Sequence, residues 1–333
     1  MSLQEFLSLR SSLPLVDVRS EGEYETGHIA SAQNIPLLNN QERTVVGTAY
    51  KKQGRAVAIK EGFRLVGPRL VEIVTAAEQL ANSGELLAYC WRGGMRSQNF
   101  AQFAGMANIK THVLKGGYKA YRQFAYDCFA KPMKLMLIGG CTGSGKSEIL
   151  RDLKWLGEQV LDLETLAHHK GSAFGGLMMP DQPSTEQFHN HIFEELIKLD
   201  LQKRVWVEDE SITIGKVFLP PPFWDQMKQA SIVEMNVAKP VRIKRLVQEY
   251  GQSPKEEFLT SMEKITKRLG GQHFKEAKEK WLAGDAASTI DILLTYYDKY
   301  YSESLKSKAT RVVATVSWDG EEKTKLMEQL VHI

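Results

Sequence analysis

Short apolar runs alternate with stretches of helical spacing along the whole chain. Leu13–Arg19 begins apolar and ends in Asp17 and Arg19, the pattern of a strand running out to charged residues. A short helix and turn follow over Ser20–Ile29, then a small strand at Ala32–Pro36. Between Asn39 and Gly67 polar residues dominate and glycines interrupt, which predicts loops with one helix. Gly67-Pro68 opens a helix from Arg69 to about Ala81, with Leu70, Ile73, Val74, Ala77 and Leu80 on one face. Glu85–Tyr89 reads as a buried strand, and apolar residues return at helical spacing from Ser97 onward. A strand at His112–Leu114 and a helix opened by Lys115-Gly116-Gly117-Tyr118 complete this half. Strands alternating with helices predict an α/β fold with parallel pairing.

Lys131-Pro132 breaks that helix, and no Gly/Ser-rich spacer follows. Met133–Gly139 is an apolar strand, Ser147–Trp155 a helix, and Gln159–Asp162 a second strand leading to the Gly-rich stretch His168–Gly176. Arg204–Ser211 is a strand ending in three acids. Segment 239–300 is helical and basic, and Val312–Val316 with Glu321–Val331 closes the chain as strand and helix.

A chain of 333 residues predicts two domains, here 1–128 and 133–333. The net charge of +3 is too small to imply nucleic acid by itself, so any such site must be local. Three cysteines exclude a disulfide scaffold and fit a reducing compartment, so a cytoplasmic location is expected. Glu5 and the lack of a long apolar core argue against a signal peptide over Met1–Leu15. No apolar run approaches the ~20 residues of a membrane span, so no membrane partner is expected.

The candidate chemistry sits where strands end. Cys90-Trp91-Arg92-Gly93-Gly94-Met95-Arg96-Ser97 joins a strand to a helix N-terminus. Backbone N–H groups and the helix dipole favour an anion there, and such loops lower a thiol's pKa. Cys90, Arg92 and Arg96 are the catalytic candidates, with Gly93, Gly94 and Met95 shaping the anion loop. Gly140-Cys141-Thr142-Gly143-Ser144-Gly145-Lys146-Ser147 is a full G-x4-G-K-S phosphate loop (P-loop). Gly140, Gly143, Ser144, Gly145, Lys146 and Ser147 are therefore assigned to phosphate or diphosphate, and the Ser147 hydroxyl could reach Mg²⁺. Cys141 reads as a small filler. Glu208 or Asp209 occupies the Walker B-like position for a magnesium-side carboxylate.

No tightly bound cofactor and no protein-held metal are expected. His168 and His169 lack ligand partners at useful spacing, and His189 and His191 face different sides of a helix. His28, following Gly27, reads as closing a turn. Lys239, Arg242, Lys244, Arg245, Lys264, Lys267 and Arg268 form the likeliest backbone-contact surface if the substrate is RNA. Tyr296, Tyr297, Tyr300 and Tyr301 at helical spacing read as packing residues.

Asp17-Val18-Arg19, Gly27-His28-Ile29, Ile35-Pro36, the Cys90 loop and Leu114-Lys115-Gly116-Gly117-Tyr118 together resemble a rhodanese domain over about 1–128. The resemblance implies a loop cysteine that carries sulfur or selenium. Five residues separate Cys90 from Arg96 where the usual sulfurtransferase loop has four. The longer loop also occurs in phosphatases and fits a larger anion such as phosphate or selenophosphate. Against a phosphatase, Tyr89 stands where those enzymes have a His before the Cys.

With the phosphate loop, Gly171-Ser172-Ala173-Phe174-Gly175 and Trp206-Val207-Glu208-Asp209-Glu210-Ser211, the whole chain resembles the tRNA 2-selenouridine synthase family. That resemblance implies an N-terminal rhodanese-like domain plus a C-terminal P-loop NTPase-like parallel-sheet domain with a helical extension. It also implies a transferase that replaces the sulfur of wobble 2-thiouridine with selenium through an S-geranyl intermediate. Geranyl diphosphate and selenophosphate would be the small-molecule donors, and the anticodon loop of tRNA the partner. Three alternatives stay open: a nucleotide-dependent kinase with an accessory rhodanese module, a non-catalytic RNA-binding or redox-sensing protein, and a phosphatase.

Overall fold

The computed structural model describes residues 1–81 and 83–333. The chain divides into two units, Met1–Cys128 and Phe129–Ile333. In the first, β1 (Leu15–Asp17), β2 (Gln33–Asn34), β3 (Glu85–Tyr89) and β4 (Lys110–Val113) form a parallel sheet ordered β2-β1-β3-β4. Leu15 pairs with Leu87 and Asp17 with Tyr89, which brings the charged end of β1 beside the end of β3. The sheet residues Val16, Val18, Leu86 and Ala88 are buried with Ile73 and Ala77 of helix Leu70–Leu80 and Phe100 and Ala104 of helix Met95–Met106. Helices cover the sheet, so β3 reads as a continuous apolar run instead of an alternating one.

The stretch predicted as loops with one helix is instead two helices, Asn40–Gln53 and Arg55–Val66, separated by Gly54 at φ 87°. Asn39 and Glu42 form a capping box at the first. Hydrophobic periodicity is weak here because Val45, Tyr50, Val57 and Phe63 face solvent, leaving only Ala49, Ala58 and Val66 buried. β4 begins at Lys110, two places before the predicted strand, in register with Glu85.

One buried ion pair joins the separate sequence motifs of this unit. Arg19 and Asp17 are both fully buried, and Arg19 Nη2 lies 2.6 Å from Asp17 Oδ2. The same nitrogen donates to the Gly27 carbonyl at 2.6 Å. The guanidinium also lies over the Tyr118 ring at 3.9 Å and the Tyr89 ring at 5.6 Å. Tyr89 Oη in turn accepts from the Ile29 N–H at 3.1 Å. His28 closes its turn by stacking on Tyr24 at 3.9 Å, with Nδ1 3.0 Å from the Tyr24 carbonyl.

In the second unit, β5 (Lys134–Gly140), β6 (Gln159–Leu161), β7 (Arg204–Glu208), β10 (Ser231–Val237) and β11 (Val312–Trp318) form a parallel sheet ordered β11-β10-β5-β7-β6. β8 (Thr213–Ile214) and β9 (Val217–Phe218) make a small antiparallel hairpin after β7. The phosphate-loop strand β5 is central, where both neighbours hold it. The helices Lys239–Tyr250, Lys255–Glu263, Gly271–Leu282 and Ala286–Lys308 bury their own apolar cluster, including Phe258, Met262 and Leu293. Within it Phe258 stacks on Trp281 at 3.7 Å. Among the described residues no helix is long and apolar enough to cross a membrane.

Arg19→Leu should leave Asp17 buried without its cation and cost about 3–5 kcal/mol. A urea melt would show this as a lowered midpoint, and an unchanged midpoint would contradict the role given to the pair.

Candidate active sites

The first site is the loop between β3 and helix Met95–Met106. Cys90 is 3% exposed, at the floor of the loop. Its Sγ lies 3.2 Å from Ser97 Oγ, whose hydroxyl also reaches the Gly94 carbonyl at 3.2 Å. Burial pushes the thiol pKa up. The Ser97 hydroxyl and N–H, the Arg92 N–H and the Arg96 charge outweigh it, so the net direction is down. The loop therefore makes this thiol more acidic than a free one.

The loop's shape is enforced from outside. Gly93 has φ 65°, and a Cβ there would collide with the Leu114 carbonyl. Gly117, at φ 57°, is pressed so closely on the loop that a Cβ would collide with the Cys90 carbonyl and stand 2.5 Å from the Gly93 nitrogen. Tyr118 N–H then donates to the Cys90 carbonyl at 2.9 Å, and Lys119 N–H to that of Trp91 at 2.9 Å. The Gly116-Gly117-Tyr118 motif thus serves as the outer wall of the cysteine loop.

The two loop arginines differ. Arg92 contributes its backbone N–H to the thiol, and its residue is exposed. Arg96 is held by Glu23, with Nη1–Oε2 at 2.6 Å, and Arg43 reaches the same carboxylate at 3.1 Å. Burial opposes ionisation of Glu23, but Arg96 and then Arg43 overcome it and hold its pKa down at about 2. Ser97 and Glu23 are site residues that the sequence reading passed over. Ser97 stood one residue past Arg96, and Glu23 was visible as the last residue of the Ser20–Glu23 capping box. Met95, at 43% exposure, lies on the open side of the loop.

The second site surrounds the phosphate loop. Gly143 and Gly145 have φ 83° and 81°, and Gly145 starts helix Lys146–Trp155 in the left-handed region. A Cβ on Gly140 would stand 2.6 Å from Ser144 Oγ, a buried hydroxyl with no hydrogen-bond partner. Lys146 Nζ donates to the Gly140 carbonyl at 3.3 Å, which folds it back over the loop. Cys141 is a poor nucleophile, because burial first and Asp298 and Glu234 after it push its thiol up against Arg242 and Lys146.

The acid touching Ser147 is Glu164, which accepts from Ser147 Oγ at 2.7 Å. It follows β6 and carried no motif to reveal it. Of the two acids chosen at the Walker B-like position, Glu208 is fully buried and accepts the Leu163 N–H at 2.9 Å. Asp209 is taken up by Lys308, with Nζ at 2.9 and 2.7 Å from its two oxygens. Burial, then Asp162 and Glu164, push Glu208 well above the carboxylate range. Burial and Glu164 push Glu210 up to about 8. Among the described residues Glu208 Oε1 has no hydrogen-bond partner, and with Ser147 Oγ and Glu164 it offers hard oxygens suited to Mg²⁺. Among the described residues no three His, Cys, Asp or Glu side chains are arranged to hold a metal alone. Magnesium would thus also use phosphate oxygens.

A cleft of about 1010 Å³ opens from this loop, lined by Lys170–Ala173, Arg268 and the tyrosines of helix Ala286–Lys308. The basic set proposed for RNA separates by contact. Arg242 is buried and bidentate to Asp298 at 2.7 and 2.8 Å, so it cannot contact RNA. It also donates to the Thr142 carbonyl at 3.2 Å, which makes it a brace of the phosphate loop. Arg245 pairs with Glu148 and lies over Trp318 at 4.7 Å beside Gly145. Lys239 pairs with Asp291 at 2.6 Å. Lys244, Lys264, Lys267 and Arg268 face solvent. His189 and His191 meet different partners, the Phe218 and Leu166 carbonyls.

A cysteine loop on one parallel sheet and a phosphate loop on another define a rhodanese domain joined to a phosphate-loop domain. The rhodanese-like family model matches residues 2–124, and a model described as the tRNA 2-selenouridine synthase AAA domain matches 133–330. The protein named tRNA 2-selenouridine synthase from Nitrosomonas europaea is 34% identical over 306 residues, covering 80% of this chain and 79% of that one. Its namesake from Serratia proteamaculans is 36% identical over 336 residues, covering 90% and 89%. That from Shewanella frigidimarina is 31% identical over 341 residues, covering 92% of each. The chain belongs to the tRNA 2-selenouridine synthase family of enzymes.

Ser97→Ala should raise the Cys90 pKa by removing a hydrogen bond to the thiolate. The rate of iodoacetamide alkylation at neutral pH should fall several-fold, and its pH profile should move to higher pH. A profile superimposable on the parent's would remove Ser97 from the site.

Proposed function

We propose that this enzyme acts on tRNA, replacing the sulfur of 2-thiouridine at the wobble position with selenium through an S-geranyl-2-thiouridine intermediate. The observation that carries the reading is the presence in one chain of a cysteine loop with a lowered thiol pKa and a separate phosphate loop beside a large cleft. Sulfur on C2 is a poor leaving group until it is alkylated. In the first step the Gly140–Ser147 loop and Lys146 hold the diphosphate of geranyl diphosphate. The base sulfur attacks C1 of the geranyl group, the C–O bond breaks, and diphosphate departs with the electron pair. Bound Mg²⁺ would supply charge neutralisation to that diphosphate, with Ser147 and Glu164 on its protein side.

The second step uses the other loop. Selenium in selenophosphate already has the oxidation level of the product, so no oxidant or reductant is required. The Cys90 thiolate attacks phosphorus, and the electron pair of the P–Se bond leaves on selenium. Selenide adds to C2, geranyl thiolate is expelled, and water releases phosphate from the cysteine. Arg96, oriented by Glu23, and the loop N–H groups balance the anion's charge. The anticodon loop must open for either step, as single-stranded RNA recognition commonly requires.

Incubation with thiolated tRNA, geranyl diphosphate and selenophosphate, followed by nucleoside mass spectrometry, tests both steps. Lys146→Ala should lower alkylation by at least about a hundredfold, the scale of removing one charge-stabilising group. Cys90→Ser should accumulate the geranylated nucleoside. Normal alkylation by Lys146→Ala would remove the phosphate loop from the first step. Selenium incorporation by Cys90→Ser at the parental rate would overturn the second. A kinase with an accessory rhodanese module would instead turn over ATP and ignore Cys90→Ala.

A further inference from the structure

The tyrosines of helix Ala286–Lys308 do not all pack inward. Tyr296, Tyr297 and Tyr301 are half-buried, and a Cβ on Gly139 would stand 3.2 Å from Tyr301 Oη, against the strand that enters the phosphate loop. Tyr300 is 62% exposed. Tyr296, one helical turn earlier, lies with its ring centroid 6.4 Å from that of Tyr300 at an interplanar angle of 33°. Both rings line the cleft that holds the phosphate loop. Arg268 Nη1 donates to Tyr296 Oη at 3.2 Å, and among the described residues no carboxylate pairs with that guanidinium. Lys264 and Lys267 are exposed on the same segment.

We propose that Tyr296 and Tyr300 form a stacking wall for an unpaired base of the RNA substrate, with Arg268 contacting the adjoining phosphate. The inference rests on the functional reading above, because it gives the base a place within reach of the phosphate loop. A hydrocarbon tail is the competing occupant. A half-buried ring and an exposed one, rimmed by a cation without a carboxylate partner among the described residues, suit it poorly, since an apolar chain gains most from an enclosed dry slot. A base presents a π-face to a tyrosine and brings its own phosphate to the arginine, and the rim meets both demands.

Binding measurements test this without any selenium chemistry. A fluorescein-labelled anticodon stem-loop serves as one probe by anisotropy, and geranyl diphosphate as the other by calorimetry. Tyr296→Leu/Tyr300→Leu keeps apolar bulk and removes the π-faces. It should weaken RNA binding about tenfold or more, the scale of losing one base–aromatic stack. Geranyl diphosphate binding should stay at the parental value. Tyr296→Phe/Tyr300→Phe should bind RNA as the parent does. Arg268→Gln should weaken RNA binding and reduce the salt dependence by roughly one phosphate contact. Parental RNA affinity in the leucine variant would overturn the proposal. So would a loss confined to geranyl diphosphate, which would assign the wall to the tail. The single Tyr300→Leu change lies on an exposed ring and carries the test should the double variant not fold. Failure of the Lys146 and Cys90 experiments with RNA binding still lost would strike the reaction scheme and leave the wall in place.

Discussion

The buried pair between Asp17 and Arg19 is the constraint on which the first unit depends. A guanidinium with no access to water must have its charge and its donors matched. Asp17 and the Gly27 carbonyl accept from Nε and Nη2, and the Tyr118 and Tyr89 rings cover the faces. These partners belong to the end of β1, the Gly27 turn, the strand that leads into Cys90, and the helix that walls the loop. Satisfying one cation therefore fixes four segments relative to one another. Tyr89 is committed to this network, which explains in physical terms why it replaces the histidine of a phosphatase loop.

The second unit is organised around negative charge that has been left partly unpaired. Asp209 is neutralised by Lys308, and the Arg242–Asp298 pair braces the phosphate loop. Glu208 and Glu210 are crowded against Glu164 near Ser147, and burial with the neighbouring carboxylates favours protonation of Glu208 and Glu210. Carboxylates in that condition are poised for a cation. Lys146 lies over the phosphate loop itself, and Arg245, paired with Glu148, lies beside Gly145.

Where chemistry imposed a local pattern, the chain could be read directly. The strand–loop–helix context of Cys90 and the full phosphate loop both lie where the apolar runs end, as expected. The parallel α/β architecture followed from the same alternation. Other features left weaker marks. The helices over Asn40–Val66 bury too few side chains to produce a period, and β10, with its apolar run broken by Glu234 and Asn236, was passed over. Ser97, Glu23 and Glu164 act through contacts made only in three dimensions, and Glu23 is distant in sequence from Arg96. Arg242 looked like its basic neighbours on the same helix. Only its depth and its bond to Asp298 mark it as internal. The tyrosine cluster shared one spacing, but only Tyr300 is exposed while the other three are half-buried.

The fit of Gly117 against the Cys90 loop bears on biosynthesis. The ribosome makes the cysteine segment before it makes the turn that closes over it. Until Leu114–Tyr118 has emerged and docked, the loop N–H groups have no fixed aim, and the thiol has no reason to depart from its everyday acidity. The docked shape of the loop thus depends on a segment made after it.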